Sequence, residues 1–410
     1  MKRGTKLLYK KIFAGLLGGG MLFMPNWSYA LPSGGQVVTN NGTITAGGKV
    51  MDITGSGNVA IDWNSFNIAA DEIVNFKNMQ AVLNYVSGGR KSEIFGKLNG
   101  AGVNVFLVNP NGILFGKTAQ VNVGQLTAST RSLEKAALNS FNGSLSPLDA
   151  GGAANVKADI INLGKLKAGK LVLEGNNLSI IGADSLEVAD KSKITLRAGE
   201  NINIGYEVTD KTTIDVGDGK GNTHQVSDYG KGGGDKASDV LSAASVTDLK
   251  GSAKSINDAM LVHDVYELQA IDRNTGTING SSYVVGNYML AGDIDAGDTK
   301  NWNSGRGFDP IGRLNRTGNG VTGSFSGAFD GICHSIQNLY IRQIGNQYDG
   351  YIGLFEGIGK GGSVGNVNMA GGHIEGTSNF GSIAGLNWGT IYNIVNSAEL
   401  VCSSGGVGGI

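Results

Sequence analysis

The chain has 410 residues, of which 68 are glycine and only five are proline. So much glycine with so little proline excludes collagen and proline-rich linkers and leaves turn-dense β structure. The first thirty residues hold five of the 33 Lys and Arg and none of the 34 acids, so the remainder carries 28 bases against 34 acids, a net charge near −6. That balance excludes a nucleic-acid binder, which needs a basic face to neutralise phosphates.

In chain order, Lys2, Arg3, Lys6, Lys10 and Lys11 form a basic start. An apolar run from Ile12 to Phe23 and the small residues Ser28 and Ala30 follow. This is the pattern of a secretory signal peptide cleaved after Ala30. A membrane anchor is the competing reading, but the run is too short to cross roughly 30 Å of hydrocarbon. No later run is long enough either, so the mature chain is expected to have no transmembrane helix.

From Gln36 the chain alternates short strands with Asn- and Gly-rich turns. The rhythm becomes metrical at Leu178-Ser179-Ile180, Leu186-Glu187-Val188, Ile194-Thr195-Leu196 and Ile202-Asn203-Ile204, whose first residues are each eight apart. Alternation puts both aliphatics of a triplet on one face. Three such strands close one coil, so the spacing predicts an all-β fold, a right-handed parallel β-helix. A doubly wound sheet would need crossover helices, and sandwich strands are seldom so short and even.

Residues 217–262 are polar and glycine-rich and read as a linker with a short helix. Beyond them a second solenoid module is expected. His334 to Leu339, Gly362 to Val367 and Gly389 to Ile394 share one pattern, at steps of 28 and 27 residues. Ile352-Gly353, Phe380-Gly381 and Val407-Gly408 keep the same steps. This predicts that Asn338, Asn366 and Asn393 stack as a structural asparagine ladder, since an amide both donates and accepts and asparagine tolerates positive φ. Val407 to Ile410 opens a further coil without a cap, so the chain is expected to be part of a longer protein.

Trp63 to Ile68, Val74-Asn75-Phe76, Ala81 to Asn84, Ile94 to Leu98 and Val105 to Ile113 together resemble the secretion domain of two-partner-secretion exoproteins, the filamentous haemagglutinins and high-molecular-weight adhesins of Gram-negative bacteria. The resemblance runs in order from about Gln36 to Thr130. It implies delivery through the periplasm to the cell surface or medium by a dedicated outer-membrane β-barrel transporter, and adhesion to a surface receptor or glycan. Carried over residue by residue, it assigns secretion competence to Asn109, Pro110, Asn111, Gly112 and Ile113. A second motif of the haemagglutinins, Asn-Pro-Asn-Leu, is missing, and Gly88-Gly89-Arg90-Lys91-Ser92 stands in the comparable region. Tyr288 to Asp295, Phe308 to Gly312 and Phe329 to Ile336 resemble the lead-in to GLUG-type repeats, with Cys333 where that pattern has glycine. The implied organisation is signal peptide 1–30, secretion domain 31–216, linker 217–262 and repeat module 263–410.

Read without the family, Asn109 to Gly112 is a β-turn in which Pro110 presets φ and Asn111 or Gly112 accepts positive φ. A turn that merely closes a coil is the plainer reading. Other candidate sites are weaker. Gly112 to Thr118 has one residue too few for a phosphate loop. The four histidines, His224, His263, His334 and His373, are scattered, and there is no His-Glu-x-x-His. Asp293, Asp295 and Asp298 are a weak calcium candidate without EF-hand spacing. No cofactor is expected, no metal beyond that candidate, and no catalytic residue. A β-helical polysaccharide enzyme would need carboxylates on neighbouring coils, and the stalk of a contact-dependent toxin would carry its activity elsewhere. Whether Cys333 and Cys402 pair stays open.

Overall fold

A computed structural model describes residues 31–145, 156–317, 320–343, 351–377 and 379–402. The expected signal peptide and its cleavage point at Ala30 lie outside the described residues. Two short antiparallel pairings begin the fold: Gln36–Val37 against Asn58–Trp63, and Gly42–Gly47 against Val50–Gly55. From there on, the long pairings run parallel. Val59, Val82, Val105, Leu126, Leu171 and Ile194 stand opposite one another on successive coils. Each is at most 1% exposed, so together they form one dry aliphatic column. Met51, Val74, Leu98, Val121, Leu166 and Leu186 form a second. Neither column could close if the coils slipped by one residue, because that would turn every aliphatic outward. The arrangement is consistent with the parallel β-helix read from the eight-residue meter. Leu178 does face Ile202, 24 residues on, as three eight-residue steps require.

The column beside Val59, Val82 and Val105 has a polar member. Asn84 is fully buried between Ile61 and Leu107. Its carboxamide is satisfied there, accepting from Trp63 Nε1 at 3.1 Å and donating to the Phe106 carbonyl at 3.2 Å. A buried amide left unpaired would cost on the order of 1–3 kcal/mol.

Residues 217–262 depart from the expected linker. Lys211–Asp215 and Thr223–Ser227 form an antiparallel hairpin. Ser245–Thr247 and Asn257–Val262 then add the next parallel strands beside Ile194–Ala198 and Ile202–Tyr206. The glycines that suggested a linker sit in two turns: Gly217, Gly219 and Gly221 in the hairpin loop, with φ of 63° to 74°, and Gly230, Gly232, Gly233 and Gly234 in the segment just after the hairpin. The continuous apolar run Ala259 to Val262, the mark of a strand buried on both faces, was the signal overlooked.

Nor does the strand pairing break at the expected module boundary. A single ten-stranded sheet runs from Ser92–Ile94 through Asn257–Val262 to Thr390–Tyr392. What changes is the filling. Aliphatics dominate the first core cluster, whereas the second carries Tyr288, Trp302, Phe308, Phe325, Phe329 and Phe355. Phe325 and Phe355 pack with tilted rings, their centres 4.8 Å apart. Larger side chains accompany longer coils, and Ala328 faces Ser363, 35 residues on.

The long sheet is bent so that its outer face is concave. Strands Leu178–Ile180 and Ala328–Asp330 have three others between them, which on a flat sheet would set them roughly 19 Å apart. Yet Ser179 Oγ donates to Asp330 Oδ2 at 2.7 Å. Outward-facing Leu261, Met289 and Ile332 form an apolar cluster in this hollow, against Ile161, Leu163 and Ile181.

Candidate functional site

The segment Asn109 to Ile113 links strand Lys97–Val108 of one sheet to Ile113–Phe115 of the next. Ile113 belongs to the interior, stacked between Ser92 and Ile160. The four residues before it form the turn: Gly112 N donates to the Asn109 carbonyl at 3.1 Å. Gly112, not Asn111, takes the positive φ, at 109°. An L side chain is strained there, so glycine is required.

Asn109 and Asn111 have different surroundings. The Asn109 side chain is fully buried. Its Nδ2 donates to the Arg90 carbonyl at 2.9 Å and to Ser92 Oγ at 3.0 Å. Its Oδ1 accepts from the Asn111 backbone N–H at 2.9 Å. Every polar atom of the amide is therefore engaged, and the residue works as an internal brace. Asn111 is exposed, and its Nδ2 donates to the Gly88 carbonyl at 2.8 Å. Ser92 N closes the frame by donating to the Gly112 carbonyl at 3.0 Å. The turn and the Gly88 to Ser92 segment, noted separately in the sequence, are thus one hydrogen-bonded unit. Sequence reasoning missed Ser92 as a side-chain partner, because a serine after Arg-Lys carries no signal of what it faces. The chemistry is that of a rigid surface feature: carbonyls and amides held in place, with no nucleophile or acid–base pair among them.

Other expected residues are distributed differently. Asn393 Nδ2 donates to Asn366 Oδ1 at 3.1 Å, and Asn366 Nδ2 donates to Asp330 Oδ1 at 2.8 Å. Asn338 is not in this ladder. It follows Ser335–Gln337, whose strand pairs with Asn368–Ala370, and it donates instead to Asp295 Oδ1 at 3.2 Å. The Ser-Ile-x-Asn pattern occurs at two different corners of the coil, and a step of 28 residues joined the wrong two. All three asparagines nonetheless take the positive φ expected of corners, 50° to 58°.

Asp293, Asp295 and Asp298 do not converge. Asp293 Oδ1 accepts from Ser335 N at 2.8 Å, and Asp295 Oδ1 from Gly297 N at 3.0 Å. Among the described residues no group of three acids, histidines or cysteines could hold a metal ion. No disulfide joins Cys333 and Cys402. Cys333 takes a φ of 66°, which explains a position where the resembling repeats have glycine.

Parallel coils behind a short antiparallel start, with a braced polar turn on one edge, make up a β-solenoid-like domain. The match is specific: residues 28–295 correspond to the TPS secretion domain, and the chain belongs to that family. It accordingly carries the secretion domain of an exoprotein exported by two-partner secretion to the medium or the cell surface. Among relatives, it is 27% identical over 295 residues to Halomucin from Haloquadratum walsbyi, covering 72% of this chain and 3% of that protein. It is 33% identical over 177 residues to a Heme/hemopexin-binding protein of Haemophilus influenzae strain Rd, covering 42% of this chain and 19% of the relative. A second Haemophilus influenzae protein of that name is 41% identical over 99 residues, which is 23% of this chain and 11% of the relative. The chain thus spans a small part of these proteins. The crystal structure of the HMW1 secretion domain from Haemophilus influenzae aligns over 92% of this chain and 99% of its own, at 16% identity and a TM-score of 0.28. The filamentous hemagglutinin secretion domain gives the same coverage at 13% identity and a TM-score of 0.29. No helix among the described residues is long and apolar enough to cross a membrane.

Proposed function

We propose that this chain is the exported domain of an adhesin, and that the braced turn Asn109 to Ile113 is read in the periplasm by a dedicated outer-membrane β-barrel transporter. Residues 1–30 serve as its export signal, cleaved after Ala30. The observation that carries this reading is the division of labour inside the turn. Asn109 is buried and fully occupied as a brace, while Asn111 is presented to the outside on a frame fixed by Gly88, Arg90 and Ser92. A turn that merely closed a coil would not need so many side-chain bonds to hold an exposed amide in place.

The coils beyond the turn serve as a right-handed solenoid that holds a broad surface away from the cell for a host or bacterial receptor or glycan. The aromatic-filled C-terminal coils, whose sequence resembles GLUG-type repeats, extend that surface rather than form a separate catalytic unit. Two relatives are named for heme and hemopexin, but the share of chain in common is too small to bring that ligand across.

Co-expression with the transporter tests the assignment. The unaltered chain is expected in the medium or on the cell surface, and Asn111→Ala in the periplasm with its fold intact by circular dichroism. Secretion of Asn111→Ala at the unaltered level removes the recognition role from the turn.

A further inference from the structure

The hollow on the outer face of the long sheet holds the secretion turn at one side and the C-terminal coils at the other. A groove of about 640 Å³ lies between them, with Lys91, Asn111 and Asp159 on one wall and Cys333, Asn368 and Asn393 on the other. Below it the two walls are joined. Asp330 is 4% exposed and meets four donors: Ser179 Oγ at 2.7 Å, Asn203 Nδ2 at 3.4 Å, Asn366 Nδ2 at 2.8 Å and Ile332 N at 2.8 Å. Two of those four belong to the secretion domain, so the carboxylate is satisfied only when the coils are seated.

The contact also carries strain. His334 N donates to the Gly331 carbonyl at 2.7 Å, closing a turn whose central residues Ile332 and Cys333 have φ of 46° and 66°. Such turns favour Asn-Gly, and a β-branched residue at positive φ is a genuine outlier. Strain of this kind persists only where the surroundings over-determine it. Here they do, because Ile332 is fully buried in the apolar cluster with Ile161, Leu163 and Ile181 of the secretion domain.

We propose that the C-terminal coils are a latch: by docking on the outer face beside the secretion turn they close that face to the transporter, so the turn is readable before the coils seat and not afterwards. Size supports this. A specific protein interface needs roughly 800 Å² on each partner, whereas the groove left beside the seated coils is of small-ligand size. The inference rests on the transporter reading and adds an order to it: recognition first, closure second. Export then becomes hard to reverse without any energy source at the surface, because the closed chain no longer offers its recognition face.

The test uses the full chain. Lys91 and Cys333 line the same groove, so a short amine-to-thiol cross-linker should join them in the folded protein, seen by peptide mass spectrometry. Ile332→Gly removes the apolar anchor while suiting the positive φ, and Ser179→Ala loosens the latch without touching the coils. Both are expected to lower the Lys91–Cys333 cross-link. Both should also raise binding of the folded chain to the purified periplasmic part of the transporter by about tenfold. Equal cross-linking in the unaltered chain and both variants overturns the docking. A lost cross-link with unchanged transporter binding overturns the gating. If urea-unfolded chain, freshly diluted, also fails to bind and Asn111→Ala is secreted normally, the recognition reading itself falls, an outcome distinct from the other two.

Discussion

Replacing Asn109 by alanine is the sharpest probe of the braced turn, because it removes donors and an acceptor carried by a fully buried side chain. Three short bonds are lost, to the Arg90 carbonyl, Ser92 Oγ and the Asn111 N–H, beside a longer one from Asn111 Nδ2 at 3.2 Å. At a net value near 1 kcal/mol each, this is a loss of about 3 kcal/mol, and the buried Ser92 hydroxyl left unpaired adds on the order of 1–2 kcal/mol. Local opening is then favoured by a factor of more than about a hundred. Hydrogen exchange at the Ser92, Asn111 and Gly112 amides should accelerate by that factor, while amides of the distant strand Ile374 sits in should not change. Asn109→Asp should fare no better, since it keeps the acceptor for Asn111 N–H but turns an acceptor oxygen toward the Arg90 carbonyl. Asn111→Ala forfeits an exposed bond to the Gly88 carbonyl and a longer one to Asn109 Oδ1, and should shift the same amides by less than about tenfold. An Asn109→Ala chain whose turn amides exchange within threefold of the unaltered rate would refute the idea that this side chain holds the turn.

Three further outcomes follow from other parts of the chain. Cys333→Gly should be neutral or stabilise by up to about 1 kcal/mol in urea unfolding, because the φ of 66° costs a side chain more than glycine's added chain entropy. Asn366→Ala, which breaks the bonds to Asp330 and Asn393, should cost about 2 kcal/mol, whereas Asn338→Ala should cost less than about 1 kcal/mol; equal costs would restore the ladder first read from the sequence. The His263 and Glu267 pair should shape the pH dependence of Tm. Burial alone would raise the Glu267 pKa, but hydrogen bonds from His263 and Ser227 outweigh it and hold the group at about 2, so its contribution is present above its ordinary 4.5 and fades as pH falls toward 2. The hydrogen bond to Glu267 raises the His263 pKa, so that contribution is complete below the ordinary 6.5 and is lost as pH rises through the raised value. His263→Gln should therefore remove the alkaline limb of a Tm-against-pH curve and leave an acid limb, while an unchanged alkaline limb would show that the imidazole does not contribute.

Much of the coil geometry was legible because each strand states its own inward face. Leu178, Leu186, Ile194 and Ile202 needed only alternation and a constant step, and the resulting opposition of Leu178 and Ile202 depends on nothing distant. The turn was legible as a turn for the same reason: proline and glycine at fixed offsets restrict dihedrals locally. Its brace was not, because the partners of Asn109 sit 17 and 19 residues earlier on another coil. The bend of the long sheet was further out of reach, since the Ser179 to Asp330 contact closes across 151 residues and neither residue departs from an ordinary strand pattern. The hairpin in residues 211–227 was misread through composition, which reports the loop and not the strands on either side.

The misplaced Asn338 shows what a ladder needs beyond a repeated asparagine. Three ladders of one kind run through the described coils, each beginning at an aspartate: Asp52, Asn75 and Asn99; Asp159, Asn177 and Asn201; Asp330, Asn366 and Asn393. In each, the later Nδ2 donates to the oxygen of the residue before it, at 2.8 to 3.2 Å. An ionised carboxylate accepts and cannot donate, so it compels the first asparagine to turn its NH₂ backward, which leaves that residue's oxygen facing the next coil. The aspartate thus sets the orientation of every amide after it, and each coil offers its successor a prepared acceptor. A sequence repeat that lists asparagines alone cannot see this polarity, whereas a repeat anchored on the aspartate would have joined Asn366 to Asp330 and left Asn338 with Asp295, the partner it has.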